Sequence, residues 1–470
     1  DLALCLFAEA PGLTRARLEK RADERVIHHL DRPFFPLGER VAAPERTLLV
    51  HRHAAPLARH ERRNLWLDCF TEVRRRIHRT YGFALEVPLP CVHSHLWDND
   101  LKARGPAWRE PLMAALPLYR RLGWTEFFTH GVWESVTGDP ERRKGEGNIC
   151  CPYAFRYADA FGGAEGMKAL FDAAHAAGTE AYQWFGFQFA RWAPLWQEHP
   201  DWLLREANGD PWDGDYNILW CGRLRTPFRD LLYEQIAAVK RETGLDHIFW
   251  DSYHNLGVTC VDWQAPDKAP QAEEVFRFQA ALQQLGFKQR CETTTIFGVS
   301  QVGMYGFEDD AFRRRLWSDT VRNDDAFALL DTSPCFFSKE PPLAPGRIGP
   351  EEYFWLMGHR AVPMAGANPW ADGYSTTTPS AAWPGGEHAE AYAACNALYH
   401  QALPRMHRLR VTPDGGHALW LDADGTPSAI WAFRDGPADW TGPVRALRAG
   451  RSDTAAGRLD LAAGEVYLLG

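Results

Sequence analysis

The chain has 470 residues, with 52 Lys+Arg against 61 Asp+Glu, a formal charge of −9 and 45% hydrophobic residues. This hydrophobic content can bury a large core, which excludes a disordered chain. The mild acidity gives no electrostatic case for nucleic acid, and no apolar run approaches the roughly 18 residues of a membrane span. Aromatics make up 13%, and tryptophan alone contributes 20 residues.

Residues 1–85 form no clean unit. TLLVH (47–51) reads as a strand and LWLDCFTEVRRRIHRT (65–80) as an amphipathic helix. This segment is expected to be the remnant of a β domain. The sequence starts at Asp1 rather than Met, so a longer front end is expected. Ten cysteines run from Cys5 to Cys395 without a CxxC pair. Buried free thiols in a reducing, cytoplasmic compartment are the expectation.

From residue 86 strand-like and helix-like runs alternate. CVHSHLW (91–97) precedes a helix over 109–123, and EFFTHGVW (126–133) precedes one over 164–178. EAYQWFGF (180–187) leads through a long loop to NILWC (217–221) and a helix over 227–244. HIFWD (247–251), a helix near 271–285, FKQRCETT (287–294), a helix near 308–322 and AFALLDTSP (326–334) follow. The last units are a helix over 351–360, AVPMAGANPW (361–370) and a helix over 387–403. Such alternation over 86–405 predicts a (β/α)8 TIM barrel, an α/β fold. No glycine fingerprint follows a strand, which argues against a dinucleotide fold. NILWC is either a barrel strand or a loop strand; in the second case the eighth barrel strand is expected near 371–386. Residues 406–470 read as a small C-terminal antiparallel β domain. Its expected hairpins are 417–433, with Asp424-Gly425 at the turn, and 457–470.

A barrel carries its chemistry at the carboxyl ends of its strands. Asp251 follows the apolar run HIFW and is the first candidate, as nucleophile or general base. Asp331, after AFALL, is the second, and Glu292 in RCETTT competes with it for the acid/base role. Two carboxylates at one mouth are what glycoside hydrolysis requires. Six tryptophans within 184–220 suit a sugar, whose apolar ring face stacks on indole while polar groups take the hydroxyls. Trp97, Trp184, Trp220 and Trp250 are the expected stacking residues, although a loop packing its own core explains some of the cluster. His95, Asp98, His130, Arg223 and His254 are expected to bind hydroxyls. His93-Ser94-His95 also opens a metal-hydrolase reading, but no further histidines follow on later strands in that pattern.

Four segments resemble clan D glycoside hydrolases, the α-galactosidase-like families 27 and 36. They are GMKALFDAAHAAGTEAYQWF, EHPDWLLREANGDPW, HIFWDSYHN and ALLDTSP. The resemblance implies a retaining hydrolase of α-linked glycosides, with Asp251 as nucleophile and Asp331 as acid/base. Its implied partner is an oligosaccharide or glycoside, with no metal or organic cofactor. Two departures bear on specificity: Phe249 stands where the family has lysine, and CETTTIFG replaces a glycine-rich segment. A metal-dependent hydrolase on His93 and His95, or a non-catalytic sugar binder on this scaffold, are the alternatives.

Overall fold

EFFT (Glu126–Thr129) and HIFW (His247–Trp250) are buried at every residue. A strand walled by helices on one face and by a filled barrel on the other must be so. The computed structural model describes residues 2–8, 15–21, 24–30, 46–52, 55–83, 86–94, 104–129, 132–135, 151–213, 219–251, 260–268, 270–292, 299–302, 334–337, 349–360, 362–366 and 386–470.

Eight parallel strands close a barrel in chain order, the eighth pairing with the first. They are Cys91–Ser94, Glu126–Thr129, Glu180–Phe185, His247–Trp250, Lys288–Glu292, Val299–Val302, Pro334–Phe337 and Val362–Gly366. Helices Arg109–Arg121, Gly163–Ala176, Phe228–Thr243, Ala272–Gln284, Pro350–Gly358 and Ala389–Ala402 flank them. Each turns an apolar stripe inward; in the first it is Leu112, Ala115, Leu116 and Tyr119. Among the described residues no helix is long and apolar enough to cross a membrane.

The strand count needs one correction. The NILWC run supplies Leu219–Cys221, which pairs antiparallel with Gln188–Ala190 outside the barrel. The missing barrel strand is Val299–Val302, not a segment near 371–386. The seventh strand begins at Pro334, after Asp331 in the chain. The helix expected near 308–322 and residues 371–385 lie outside the described residues.

Before the barrel, Leu2–Ala8 pairs with Arg46–Arg52 and Arg15–Arg21 with Glu24–Leu30. Helix Arg59–Tyr81 follows, ending at Gly82 with φ 66°, and docks on the C-terminal sheet. Asn64 exchanges two hydrogen bonds with Val411, and Asp68 accepts from Arg410 at 2.7 Å.

The C-terminal domain is a six-stranded sheet plus a short pair. The expected hairpin is present as His417–Leu421 with Pro427–Ala432. The second is not: Leu459–Leu461 pairs with Gly436–Ala438, while Val466–Leu469 lies between Pro427–Ala432 and Thr441–Ala446. Trp420 and Trp431 join this sheet to the barrel. The Trp420 indole donates to the Gly358 carbonyl at 2.8 Å, and Trp431 packs on Phe354. Cys69, Cys91, Cys151, Cys221, Cys260, Cys291 and Cys395 are buried, and none of these forms a disulfide.

Candidate active site

Side-chain alternation decides what faces the barrel mouth. Phe128 on the second strand and Phe249 on the fourth touch, with ring centroids 4.7 Å apart. The third strand separates their backbones, so the rings meet across the barrel interior. Asp251 lies two residues beyond Phe249 and shares its side of the chain. Its backbone N–H donates to the Phe185 carbonyl at 3.0 Å, extending the ladder between strands three and four beyond Trp250. Asp251 is half-buried there, at the carboxyl end of the fourth strand.

Trp250 has the opposite parity. Its ring is fully buried, stacks on Phe187 at 4.5 Å and meets Phe278 of helix Ala272–Gln284 edge-on. Its indole donates to Gln289 at 2.8 Å. The sugar-stacking role expected of Trp250 is therefore corrected to a core role. Trp184 is the register partner of Phe249 and shares its side of the sheet; it is 1% exposed, with its ring against Phe155. Its indole N–H has no hydrogen-bond partner among the described residues, nor does either amide atom of the buried Gln188. These unsatisfied groups lie near the end of strand three and just beyond it, the side from which Asp251 is held.

The long excursion after strand three packs mainly onto the barrel core, with small separate clusters around Leu219 and Cys221. Trp196 stacks on Phe228 and donates to the Ala190 carbonyl, and Trp202 stacks on His199 at 3.8 Å. Trp220 stays half-buried, opposite Phe189 in the Gln188–Ala190 pairing. Arg223 does not present a free guanidinium to a ligand. Its Nε bonds the fully buried Asp262 carboxylate at 3.0 Å, and its Nη1 donates to the Asp201 carbonyl. Asp262 also accepts from the backbone N–H groups of Gln264 and Ala265. Gln271 fastens the other side, accepting from the Leu224 N–H and donating to the Gly222 carbonyl. Residues 222–224 are thus tied to residues 260–271, which follow Asp251 in the chain.

Other candidates are placed by their backbones alone. Trp250 and Cys291 are register partners, so the next positions, Asp251 and Glu292, stand side by side at the rim of adjacent strands. Neighbouring strands lie about 5 Å apart. His93 sits near the end of the first strand, opposite Phe128 and Gly366. His95, Trp97, Asp98, His130, His254 and Asp331 lie outside the described residues.

The amino end of the barrel holds a charged cluster that the sequence reading missed. Arg290 bonds Glu126 at 2.7 Å with both side chains buried, and its guanidinium lies over the Tyr182 ring. Glu180 accepts from His247 at 2.9 Å and from Lys288. The His247 bond, with Lys288 adding to it against the cost of burial, holds the Glu180 carboxyl down at about 2. Glu126, Glu180 and His247 have metal-ligand spacing. Their carboxylates already bond Arg290, Lys288 and His247, so the arrangement is a balanced ionic plug. The signal was in KQRCE, whose alternating charges are out of place in a strand with an apolar interior.

No protein-family model and no curated protein matches the sequence. Solved structures do. A noncanonic maltogenic α-amylase from Thermotoga neapolitana superposes with a TM-score of 0.54 at 12% identity, over 81% of this chain and 98% of that one. An α-amylase from Malbranchea cinnamomea gives 0.54 at 13% identity, over 81% and 96%. The cycloalternan-degrading enzyme of Trueperella pyogenes gives 0.59 at 12% identity, over 100% of this chain and 72% of that one. The fold is that of the amylase-type barrels. The last superposition also takes in the residues before the barrel.

Proposed function

We propose that this protein is a retaining glycoside hydrolase acting on α-linked glycosides. The observation that carries the reading is Asp251, held by the Phe185 carbonyl at the carboxyl end of the fourth barrel strand. Its carboxylate attacks the anomeric carbon while an acid protonates the departing oxygen, giving a glycosyl ester. The same acid, now a base, takes a proton from the water that cleaves the ester. The likeness to amylase-type barrels supports this class of reaction.

For the acid/base we propose Glu292, because the register sets it beside Asp251. A retaining pair needs carboxyls about 5–5.5 Å apart, which neighbouring strand ends suit. Asp331 is the second reading, supported by the ALLDTSP resemblance. The seventh strand starts only at Pro334, and the position it brings to the rim is Phe337. Glu292→Gln should then lose activity on poor leaving groups and keep it on activated aryl glycosides, with Asp331→Asn close to the parent. The reverse pattern assigns the role to Asp331.

Two sugar classes are supported from different directions. The four sequence segments resemble α-galactosidases, whereas several of the matching structures are α-amylases and another is a maltotriose complex at TM-score 0.50. A panel of aryl α- and β-glycosides with NMR of the first-formed anomer discriminates them. Release of the α anomer from an α-glucoside or α-galactoside is the expected result. Release of the β anomer, or cleavage of β-glycosides alone, contradicts the reading. Buried free thiols are in keeping with a reducing, cytoplasmic setting.

A further inference from the structure

A second cleft lies far along the chain from Asp251, where the barrel meets the C-terminal sheet. It has a volume of about 680 Å3, within the range of small-molecule sites. Helix Pro350–Gly358 gives its floor through Phe354 and Trp355, both 6% exposed. Helix Ala389–Ala402 contributes Ala391, Ala394 and the buried Cys395, and the C-terminal domain contributes Phe433 and Arg448. Small side chains on facing elements keep the space open. Behind it, Trp355, His359 and Phe433 form a packed aromatic group, with His359 and Phe433 stacked at 5.0 Å.

One cation serves this apolar space. The Arg448 guanidinium lies 5.7 Å from the Phe354 ring centroid. Its backbone N–H is anchored on the Glu465 carboxylate at 2.7 Å, and Gly464 leaves room for it: a Cβ there would meet Nη1 at 2.9 Å. Among the described residues it has no ion-pair partner and no hydrogen bond from the guanidinium. Glu351, in the first turn of its helix, lines the same cleft and sets a limit on negative charge.

We propose that this cleft binds an amphipathic monoanion, an aryl or short alkyl body carrying one carboxylate, with the body on Phe354, Trp355 and Phe433 and the carboxylate on Arg448. A fork of N–H donors beside an apolar wall matches that chemistry. A saccharide fits worse, because its hydroxyls would face alanines and largely buried ring edges. A dianion would set its second charge against Glu351.

The test uses 4-phenylbutyrate as probe, with its neutral amide as control, by calorimetry and saturation-transfer NMR on the full chain. The acid should bind saturably and at least about 10-fold more tightly than the amide, a factor typical of one charge-assisted contact. Arg448→Gln should remove that preference. Ala394→Trp, at an exposed helix position, should abolish binding of both while circular dichroism stays that of the parent. Glu351→Gln should tighten the acid, and Asp251→Asn should leave it unchanged, which separates this site from the proposed active site. Absence of saturable binding, equal binding to the parent and Arg448→Gln, or displacement by maltotriose overturns the proposal.

Discussion

The backbone N–H of Asp251 donates to the carbonyl of Phe185 at 3.0 Å. That bond belongs to the main chain, so replacing the side chain leaves it in place. Asp251→Asn should therefore keep the fold, with Tm within about 2 °C of the parent, since a half-buried polar swap has small effects. Loss of the proposed nucleophile should lower kcat/KM by about 1000-fold or more. Thermal melts and rates on the best aryl α-glycoside check both halves.

The Arg290–Glu126 pair is buried on both sides. Removing one member strands a charge in the barrel floor. Arg290→Met should cost about 3–5 kcal/mol, and the double variant Arg290→Met with Glu126→Leu should recover most of that loss. Urea denaturation of the two single variants and the double one completes the cycle.

Glu86 gives the barrel floor a pH dependence. Its Oε2 accepts the Gln289 N–H at 2.8 Å, and burial is the main force pushing its pKa up to about 8. Gln289, Lys288 and Arg290 oppose the shift, and Glu126 adds to it. The folded pKa lies above the unfolded value near 4.5. The stability it contributes is thus complete below that value and is lost as pH rises to about 8. Glu86→Gln keeps the acceptor and removes the proton. It should exceed the parent by roughly 2–4 kcal/mol at pH 9 and match it near pH 4. Denaturation curves at pH 4, 7 and 9 measure the gap.

Trp250 is a residue of the barrel wall. Trp250→Phe loses the indole bond to the buried Gln289 and leaves that acceptor unpaired. Stability should fall by about 1–3 kcal/mol while KM for glycosides stays within twofold. A large KM rise with unchanged stability would return Trp250 to the sugar site.

The barrel was legible where strands were apolar and helices amphipathic. EFFT, EAYQWF and HIFW announce themselves because burial on both faces forces continuous apolar runs. Val299–Val302 was hidden: four residues, half of them polar, flanked by glycines at Gly298 and Gly303. NILWC misled for the converse reason. Leu219 and Cys221 serve small clusters outside the barrel, and an apolar run does not say which sheet it joins. The neighbourhood of Asp251 was readable from chain order, but Trp250 was misread. Adjacent residues on a strand face opposite ways, so the Trp250 ring and the Asp251 carboxylate cannot both line the mouth. The ionic floor was missed because Glu126 and Arg290 are 164 residues apart in sequence and meet only on closure.

The central claim is that Asp251 is the nucleophile of a retaining α-glycosidase. Its most direct test is Asp251→Gly with an α-glycosyl fluoride as substrate and sodium azide in the buffer, the product identified by NMR. Azide entering the vacated space should displace fluoride from the face that the carboxylate would attack, restoring turnover and giving the β-glycosyl azide. Turnover at the parental rate without azide, or formation of the α-glycosyl azide, would contradict the account.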